Sequence, residues 1–182
     1  MVRIHLVRHG KAAASFSENL DPGLDETGKQ QALLVSMQLS QFGLLPLCSS
    51  PLKRAVETAE PLRLQTQQTV RIDDRFAEIP SSGKSLQERG LWIRSLSESR
   101  WSEQETSLKA WRQHLIDALL AIQTDTIIFS HFIAINVAVG AAQCSDDILV
   151  FQPDNASVTT LDTDGKKLSL ITRGKQASTK IL

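Results

Sequence analysis

The sequence predicts an α/β fold in which a largely parallel sheet carries helices on both faces. Residues 1–7 form a short segment rich in β-branched and aliphatic residues, and residues 125–130 form a nearly continuous apolar run. The second segment has the pattern of a central parallel strand that is covered on both sides. From the start of the chain to Gly140, predicted strands alternate with predicted helices, which is the pattern of a parallel sheet with right-handed crossover connections.

Local signals place the individual elements. Asp25 is a suitable N-cap for a helix that begins near Glu26 and stops at Gly43. After a strand at residues 44–49, Ser50 is predicted to cap the second helix and Pro51 to open its first turn. The other predicted elements are strands at 69–72, 148–151, 157–161 and 167–172, helices at 103–122 and 132–142, and an Asp164-Gly165 hairpin turn.

Composition limits the classes of function. The 182 residues suit one domain, 1–182, and the 20 basic and 20 acidic residues balance, so charge gives no argument for a nucleic-acid or membrane partner. The N-terminus lacks the pattern of a secretory signal, and Cys48 and Cys144 are predicted to be reduced core residues. We therefore expect a cytoplasmic protein. No Cys or His spacing typical of a zinc site occurs, so we expect no metal.

Charged and imidazole side chains follow the predicted strands. Arg8-His9-Gly10 follows the first strand, Arg54 follows the second, and His131 follows the strand at 125–130. Ligands bind at the carboxyl ends of strands in open α/β sheets, so these side chains are predicted to share one site. Arginine offers fixed donors to an oxyanion, and a neutral histidine can act as a nucleophile near pH 7. The combination predicts a phosphoryl acceptor.

The order of these motifs resembles the histidine phosphatase superfamily, which also contains the cofactor-dependent phosphoglycerate mutases. The resemblance runs from Val2 to about Leu161. It is carried by residues 3–10, 24–32, 49–59, 76–78, 127–131 and 155–159. It implies a phosphoglycerate mutase-like three-layer α/β/α sandwich with a mostly parallel central sheet, one antiparallel strand and a late hairpin.

The resemblance also implies roles for particular residues. His9 is the expected nucleophile, which forms a phosphohistidine that water then hydrolyses. Arg8, Arg54 and His131 are the expected phosphate-binding groups, and His131 also counts among the catalytic residues. Glu78 matches the proton donor to the leaving oxygen.

Three positions depart from the family pattern. Ser15 stands where the family often has a phosphate-binding asparagine, and we expect its shorter hydroxyl to take that place. Glu78 is followed by Ile79-Pro80 rather than by a Gly-Trp-Glu-Gly-like segment, and Phe132 stands where the family usually has Gly. A ring at this position is expected to reshape one wall of the pocket without removing a catalytic group.

These features favour a phosphatase that hydrolyses a phosphomonoester without metal or cofactor, acting on a small phosphorylated substrate or a phosphoprotein. A phosphoglycerate mutase-type phosphotransferase normally needs longer insertions. A protein phosphohistidine phosphatase tends to lack a cap, whereas residues 73–106 are expected to form a segment that contacts the substrate. A non-catalytic phospho-ligand binding module is expected to have lost Arg8 or His9.

Overall fold

The computed structural model describes residues 1–15, 17–81 and 83–177, which form six strands and five α-helices. The strands are β1 (Val2–Arg8), β2 (Leu47–Ser49), β3 (Val70–Ile72), β4 (Thr126–Ser130), β5 (Val158–Thr163) and β6 (Leu168–Thr172). The helices are α1 (Glu26–Leu39), α2 (Lys53–Thr66), α3 (Leu86–Ser97), α4 (Thr106–Leu120) and α5 (Phe132–Ala142), with short 3-10 turns at Ser40–Phe42, Asp74–Phe76 and Trp101–Glu103.

The six strands form one mixed sheet in the order β3-β2-β4-β1-β5-β6. The neighbours β3–β2, β2–β4 and β4–β1 are parallel, whereas β5 is antiparallel to both β1 and β6. Gly165 has a φ of 82° in the β5–β6 turn, a conformation that glycine adopts without strain. The predicted parallel sheet, with its antiparallel member and its late hairpin, is confirmed.

Alternating side chains divide the sheet into two apolar faces. On one face Ile4, Leu6 and Ile128 pack with residues of α3, α4 and α5. On the other face Val7, Ile127 and Phe129 pack with residues of α1 and α2. Because successive side chains of a strand point to opposite faces, helices cover both sides, and the sheet is the middle of three layers.

Residues 148–151 do not form the predicted strand. The side-chain oxygen of Asn136, which is fully buried in α5, accepts hydrogen bonds from the backbone N–H groups of Val150 (2.9 Å) and Phe151 (3.0 Å). These amides are therefore satisfied by a side chain, and the segment needs no strand partner.

The second helix begins later than predicted, at Lys53 rather than at Pro51. Ser50 Oγ accepts a hydrogen bond from the Leu52 N–H at 3.2 Å, and the carboxylate of Asp21 accepts one from the Lys53 N–H at 2.8 Å. Of these two backbone N–H groups at the helix start, one therefore binds a side chain nearby in sequence, and the other binds a side chain in a distant loop.

Cys48 is buried as predicted, but Cys144 is exposed, so its predicted core position is wrong. Cys144 lies just beyond the end of α5 with a φ of 54°, where the chain turns away from the core. Within the described part of the chain, the helices are too short or too polar to span a bilayer.

Candidate active site

The strand ends bring the predicted site residues together. Arg8 ends β1 and His9 follows it, while His131 follows β4, the strand next to β1. The His9 N–H donates to the Ser130 carbonyl at 3.0 Å, so the ends of β1 and β4 stay in register beyond the sheet. Arg54 lies in the first turn of α2, which follows the neighbouring strand β2. Sheet topology alone therefore makes these side chains neighbours.

A cavity of about 460 Å³ lies at this edge of the sheet. The reacting groups expected from the sequence, Arg8, His9, Arg54 and Glu78, line it. The other described residues of its wall are Lys11, Ala12, Ala13, Ala14, Ser15, Glu18, Asn19, Leu20, Pro22, Asp25, Ile93, Phe132, Ile133 and Asn155. The centre of the His131 ring lies 5.2 Å from the centre of the His9 ring.

The hydrogen bonds of His9 determine which ring nitrogen carries its proton. Nδ1 lies 2.7 Å from the carbonyl oxygen of Gly10, which can only accept, so Nδ1 carries the hydrogen. Nε2 lies 3.2 Å from Nε of Arg54, whose N–H can only donate. Nε2 therefore holds the lone pair, and the neutral ring presents an unprotonated nitrogen next to a guanidinium.

The backbone around His9 is fixed on both sides. Its carbonyl accepts from Asn155 Nδ2 (3.1 Å) and from the Ala156 N–H (3.3 Å). The Gly10 N–H donates to Thr58 Oγ1 at 3.0 Å. A Cβ at Gly10 would lie 2.6 Å from the Gly28 carbonyl oxygen, so this close approach of two backbone segments requires glycine.

His131 is fully buried and has one hydrogen-bond partner among the described residues. Its Nε2 lies 2.7 Å from Ser50 Oγ. Ser50 Oγ accepts from the Leu52 N–H with one lone pair, and its hydroxyl proton can be donated to Nε2. The proton of a neutral His131 then resides on Nδ1, which has no partner among the described residues.

Both histidines are held neutral. Burial lowers the pKa of His9 well below its ordinary value, and the nearby charges of Arg54 and Arg8 lower it further. The same causes, burial first and then Arg54, lower the pKa of His131. Burial lowers the pKa of Arg8 to about 10, which still leaves its guanidinium charged at neutral pH.

Arg8 is positioned by two contacts. One terminal nitrogen donates to the Pro153 carbonyl at 2.8 Å, and the guanidinium lies 4.9 Å from the centre of the Phe132 ring. The Nε of Arg8 has no partner among the described residues. Phe132, one of the departures from the family pattern, thus makes a cation–π contact with Arg8 and also contributes to the cavity wall.

Glu78 caps α5. Its two carboxylate oxygens accept from the backbone N–H groups of Ile133 (3.1 Å), Ala134 (3.2 Å) and Ile79 (3.0 Å). These bonds and the charge of Arg54 favour the ionised form, but burial outweighs them and raises the pKa of Glu78 above its ordinary value. A carboxyl group with a raised pKa is suited to giving a proton near neutral pH.

The loop between β1 and α1 forms the opposite wall. Asp21, besides binding the start of α2, lies 3.9 Å from the Arg54 guanidinium. Ser15, predicted to bind phosphate, lines the cavity, but its Oγ donates to the Glu18 carboxylate at 2.7 Å. A phosphate contact by Ser15 therefore requires its hydroxyl to leave Glu18 and stays a prediction.

The segment 73–106 contributes to the cavity through Glu78 and Ile93, the latter from α3. Trp101 instead packs in the core at 2% exposure, with its ring 6.1 Å from that of Trp111. Within the described part of the chain, no cluster of three or more His, Cys, Asp or Glu side chains has an arrangement suited to a metal ion.

Sequence reasoning did not identify Ser50 and Asp21 as residues that position the site. The local pattern at Ser50 indicates a helix cap, and nothing local connects this residue to His131, 81 positions later. Asp21 lies in a loop without periodicity, and its contact with Arg54 depends on how that loop folds.

Comparisons with known proteins find similar chains. The chain is 32% identical over 115 residues to phosphoserine phosphatase 1 of Hydrogenobacter thermophilus, a match that covers 61% of this chain and 51% of the relative. It is 28% identical over 160 residues to the "Probable phosphoglycerate mutase GpmB" of Erwinia tasmaniensis, covering 76% of this chain and 74% of the relative. The chain thus spans about half the length of the first relative.

The fold also matches a solved structure. A mycobacterial glucosyl-3-phosphoglycerate phosphatase superposes with a TM-score of 0.76 at 21% identity, covering 97% of this chain and 100% of that one. The sequence profile of the histidine phosphatase superfamily (branch 1) matches residues 4–175. With the profile spanning almost all of its described residues, this chain belongs to the histidine phosphatase superfamily, branch 1.

Proposed function

We propose that this protein is a metal-independent phosphatase that hydrolyses a small phosphomonoester through a phosphohistidine on His9. The observation that carries the proposal is the neutral His9 ring, whose unprotonated Nε2 lies 3.2 Å from Nε of Arg54. Membership of the family and the phosphatase names of its relatives support the same reaction. We further propose that the enzyme acts in the cytoplasm.

The first step transfers the phosphoryl group to His9. Nε2 attacks phosphorus, the N–P bond forms, and the bond between phosphorus and the ester oxygen breaks. The Nε–H of Arg54, which donates to the Nε2 lone pair in this structure, turns to a phosphoryl oxygen as that lone pair is used. The Nε–H of Arg8, which has no partner among the described residues, can donate to a phosphoryl oxygen, and Arg8 adds a second permanent charge against the three equatorial oxygens.

Ser50 determines how His131 takes part. We propose that Ser50 Oγ donates to Nε2, so that the neutral ring keeps its proton on Nδ1 and can donate it to a phosphoryl oxygen. His131 then acts as a neutral hydrogen-bond donor rather than as an imidazolium. Ser50 is a positioning residue in this account, since it acts through His131.

Glu78 serves both steps as acid and base. Because its pKa is raised, the carboxyl holds its proton to higher pH than an ordinary glutamate, and that proton goes to the departing ester oxygen. The resulting carboxylate takes a proton from water in the second step, while the water oxygen attacks phosphorus and the N–P bond breaks. Inorganic phosphate leaves, and His9 and Glu78 return to their starting states.

The segment 73–106 supports a small substrate. Because Glu78 and Ile93 both belong to it and line the cavity, we propose that this segment caps the substrate. A capped cavity of about 460 Å³ suits a small ester better than a phosphorylated protein surface.

The proposal is tested with a panel of phosphomonoesters in buffer containing excess EDTA. We expect the wild type to hydrolyse several of them at unchanged rates after chelation, and vanadate to inhibit as a mimic of the trigonal bipyramidal transition state. The His9→Ala variant should lose turnover with every ester. Activity that disappears with EDTA and returns with magnesium or zinc would overturn the metal-independent mechanism.

A further inference from the structure

Beyond the reacting groups, eight of the fourteen described residues of the cavity wall are apolar. Ile93 from α3 and Phe132 and Ile133 from α5 form one side of it. Ile93 and Phe132 are 6% and 4% exposed and also belong to the main apolar cluster, so both are held firmly in place. The facing loop adds Ala12, Ala13, Ala14, Leu20 and Pro22.

Charge in the same wall disfavours a second anion on the substrate. Outside the reacting groups, the charged residues of the described wall are Lys11, Glu18 and Asp25, one cation against two carboxylates. Lys11 is already paired with Asp25 at 2.8 Å, and its side chain is 59% exposed. A carboxylate on the leaving group would therefore approach Glu18 without an uncommitted cation in this described wall to compensate.

Phe132 makes the wall more apolar than the family pattern would. A glycine there would leave the first turn of α5 open beside Arg8, where backbone polar groups and solvent could contact a polar leaving group. The Phe132 ring occupies this position and lies 4.9 Å from the Arg8 guanidinium.

Building on the proposed function, we propose that the alcohol part of the substrate is uncharged and apolar, an alkyl or aryl group that packs against Ile93 and Phe132. The phosphate is bound by the arginines and histidines, and the wall selects the leaving group by contact area rather than by charge. Arg89 is the alternative source of selectivity. It lies one helical turn before Ile93 on α3, is 5% exposed, and contributes to lowering the pKa of Arg54.

The test uses three primary alkyl phosphates with similar leaving-group chemistry: hexyl phosphate, glycerol 3-phosphate and 3-phosphoglycerate. We expect kcat/KM to fall in that order, by about tenfold or more from the first to the last, which is the range a hydrophobic pocket gives. A higher kcat/KM for 3-phosphoglycerate than for hexyl phosphate would overturn the proposal. If the Arg89→Gln variant then lost this preference for 3-phosphoglycerate, the selectivity would be assigned to Arg89. Equal kcat/KM for all three esters would also overturn the proposal.

Variants of the wall locate the selectivity. Ile93→Ala should lower kcat/KM for hexyl phosphate about tenfold, mainly through KM, with little change for 3-phosphoglycerate. Ile93→Leu keeps the apolar wall and should retain the preference for hexyl phosphate. This variant provides a second test if the alanine variant folds poorly. Leu96→Ala is the matched control, since it removes a buried aliphatic side chain of the same helix that lies outside the described cavity wall.

The result separates this inference from the proposed function. The enzyme could form a phosphoenzyme and hydrolyse all three esters while Ile93→Ala leaves its preference among them unchanged. That outcome would contradict the apolar leaving-group site and leave the phosphatase proposal intact. A protein that hydrolyses none of a broad panel of esters contradicts the phosphatase itself.

Discussion

The proton donor is tested most sharply by replacing Glu78 with glutamine and varying the leaving group. Glutamine keeps the shape of the side chain but has no acidic proton. General acid catalysis contributes about 10²–10⁴-fold, so hexyl phosphate hydrolysis should slow by that amount. Hydrolysis of p-nitrophenyl phosphate should change little, because its phenolate leaves with little protonation.

The structure also predicts a stability cost for this variant. One carboxylate oxygen of Glu78 accepts from both Ile79 and Ala134, and the other accepts from Ile133. If the amide oxygen of glutamine takes the first position, its NH₂ group faces the Ile133 N–H, donor against donor. A buried donor without an acceptor costs about 1–3 kcal/mol. For a domain of this size the cost corresponds to a Tm lower by roughly 2–12 °C.

The assay compares kcat for the two esters in wild type and Glu78→Gln, at a temperature well below the variant's Tm measured by circular dichroism. Glu18→Gln is the matched control, because Glu18 lines the same cavity but is engaged by Ser15. The ratio of wild-type kcat to Glu18→Gln kcat should be the same for the two esters. If Glu78→Gln slowed both esters equally, the assignment of Glu78 as general acid would be wrong, and another carboxylate in residues 73–105 would become the candidate.

Two further predictions concern the protonation states of the site. In a pH profile, kcat/KM for an alkyl phosphate should stay high below pH 6.5, because the pKa of His9 is lowered and the ring stays neutral there. The value of kcat/KM should fall as pH rises through the raised pKa of Glu78, and the Glu78→Gln variant should lack this descending limb. An ascending limb that reports a pKa of His9 at or above 6.5 would refute the account. Ser50→Ala should reduce kcat about tenfold, the equivalent of one hydrogen bond, and Ser50→Thr should restore it. Nitrogen NMR of His131 should show the proton moving from Nδ1 in the alanine variant, and an unchanged tautomer would exclude the positioning role.

Much of the site geometry could be predicted from sequence because it depends on strand ends. Arg8, His9 and His131 each lie at or just after the end of a parallel strand, and Arg54 opens the helix after another. A strand and the residues that leave it are local features, and parallel pairing of β2, β4 and β1 then brings those residues to one edge. Their proximity follows from this topology.

The features that sequence could not supply depend on contacts between distant segments. Asp21 binds the start of α2 from a loop, so the local cap signal at Ser50 placed that helix start too early. Residues 148–151 have the composition of a strand, but Asn136 satisfies two of the segment's amides from inside a helix. Neither contact has a periodic or local pattern, since both depend on how the packed elements meet.

The role of His9 as covalent acceptor is tested most directly by trapping the intermediate. Wild-type protein is mixed with a ³²P-labelled ester, quenched within milliseconds, and digested for mass spectrometry. We expect label that is stable to alkali and labile to acid, located on His9 and formed fast enough to account for turnover. His9→Ala should carry no label and show turnover lower by orders of magnitude. Near wild-type turnover by His9→Ala, or rapid turnover by wild-type protein with label on another residue, would contradict the phosphohistidine mechanism.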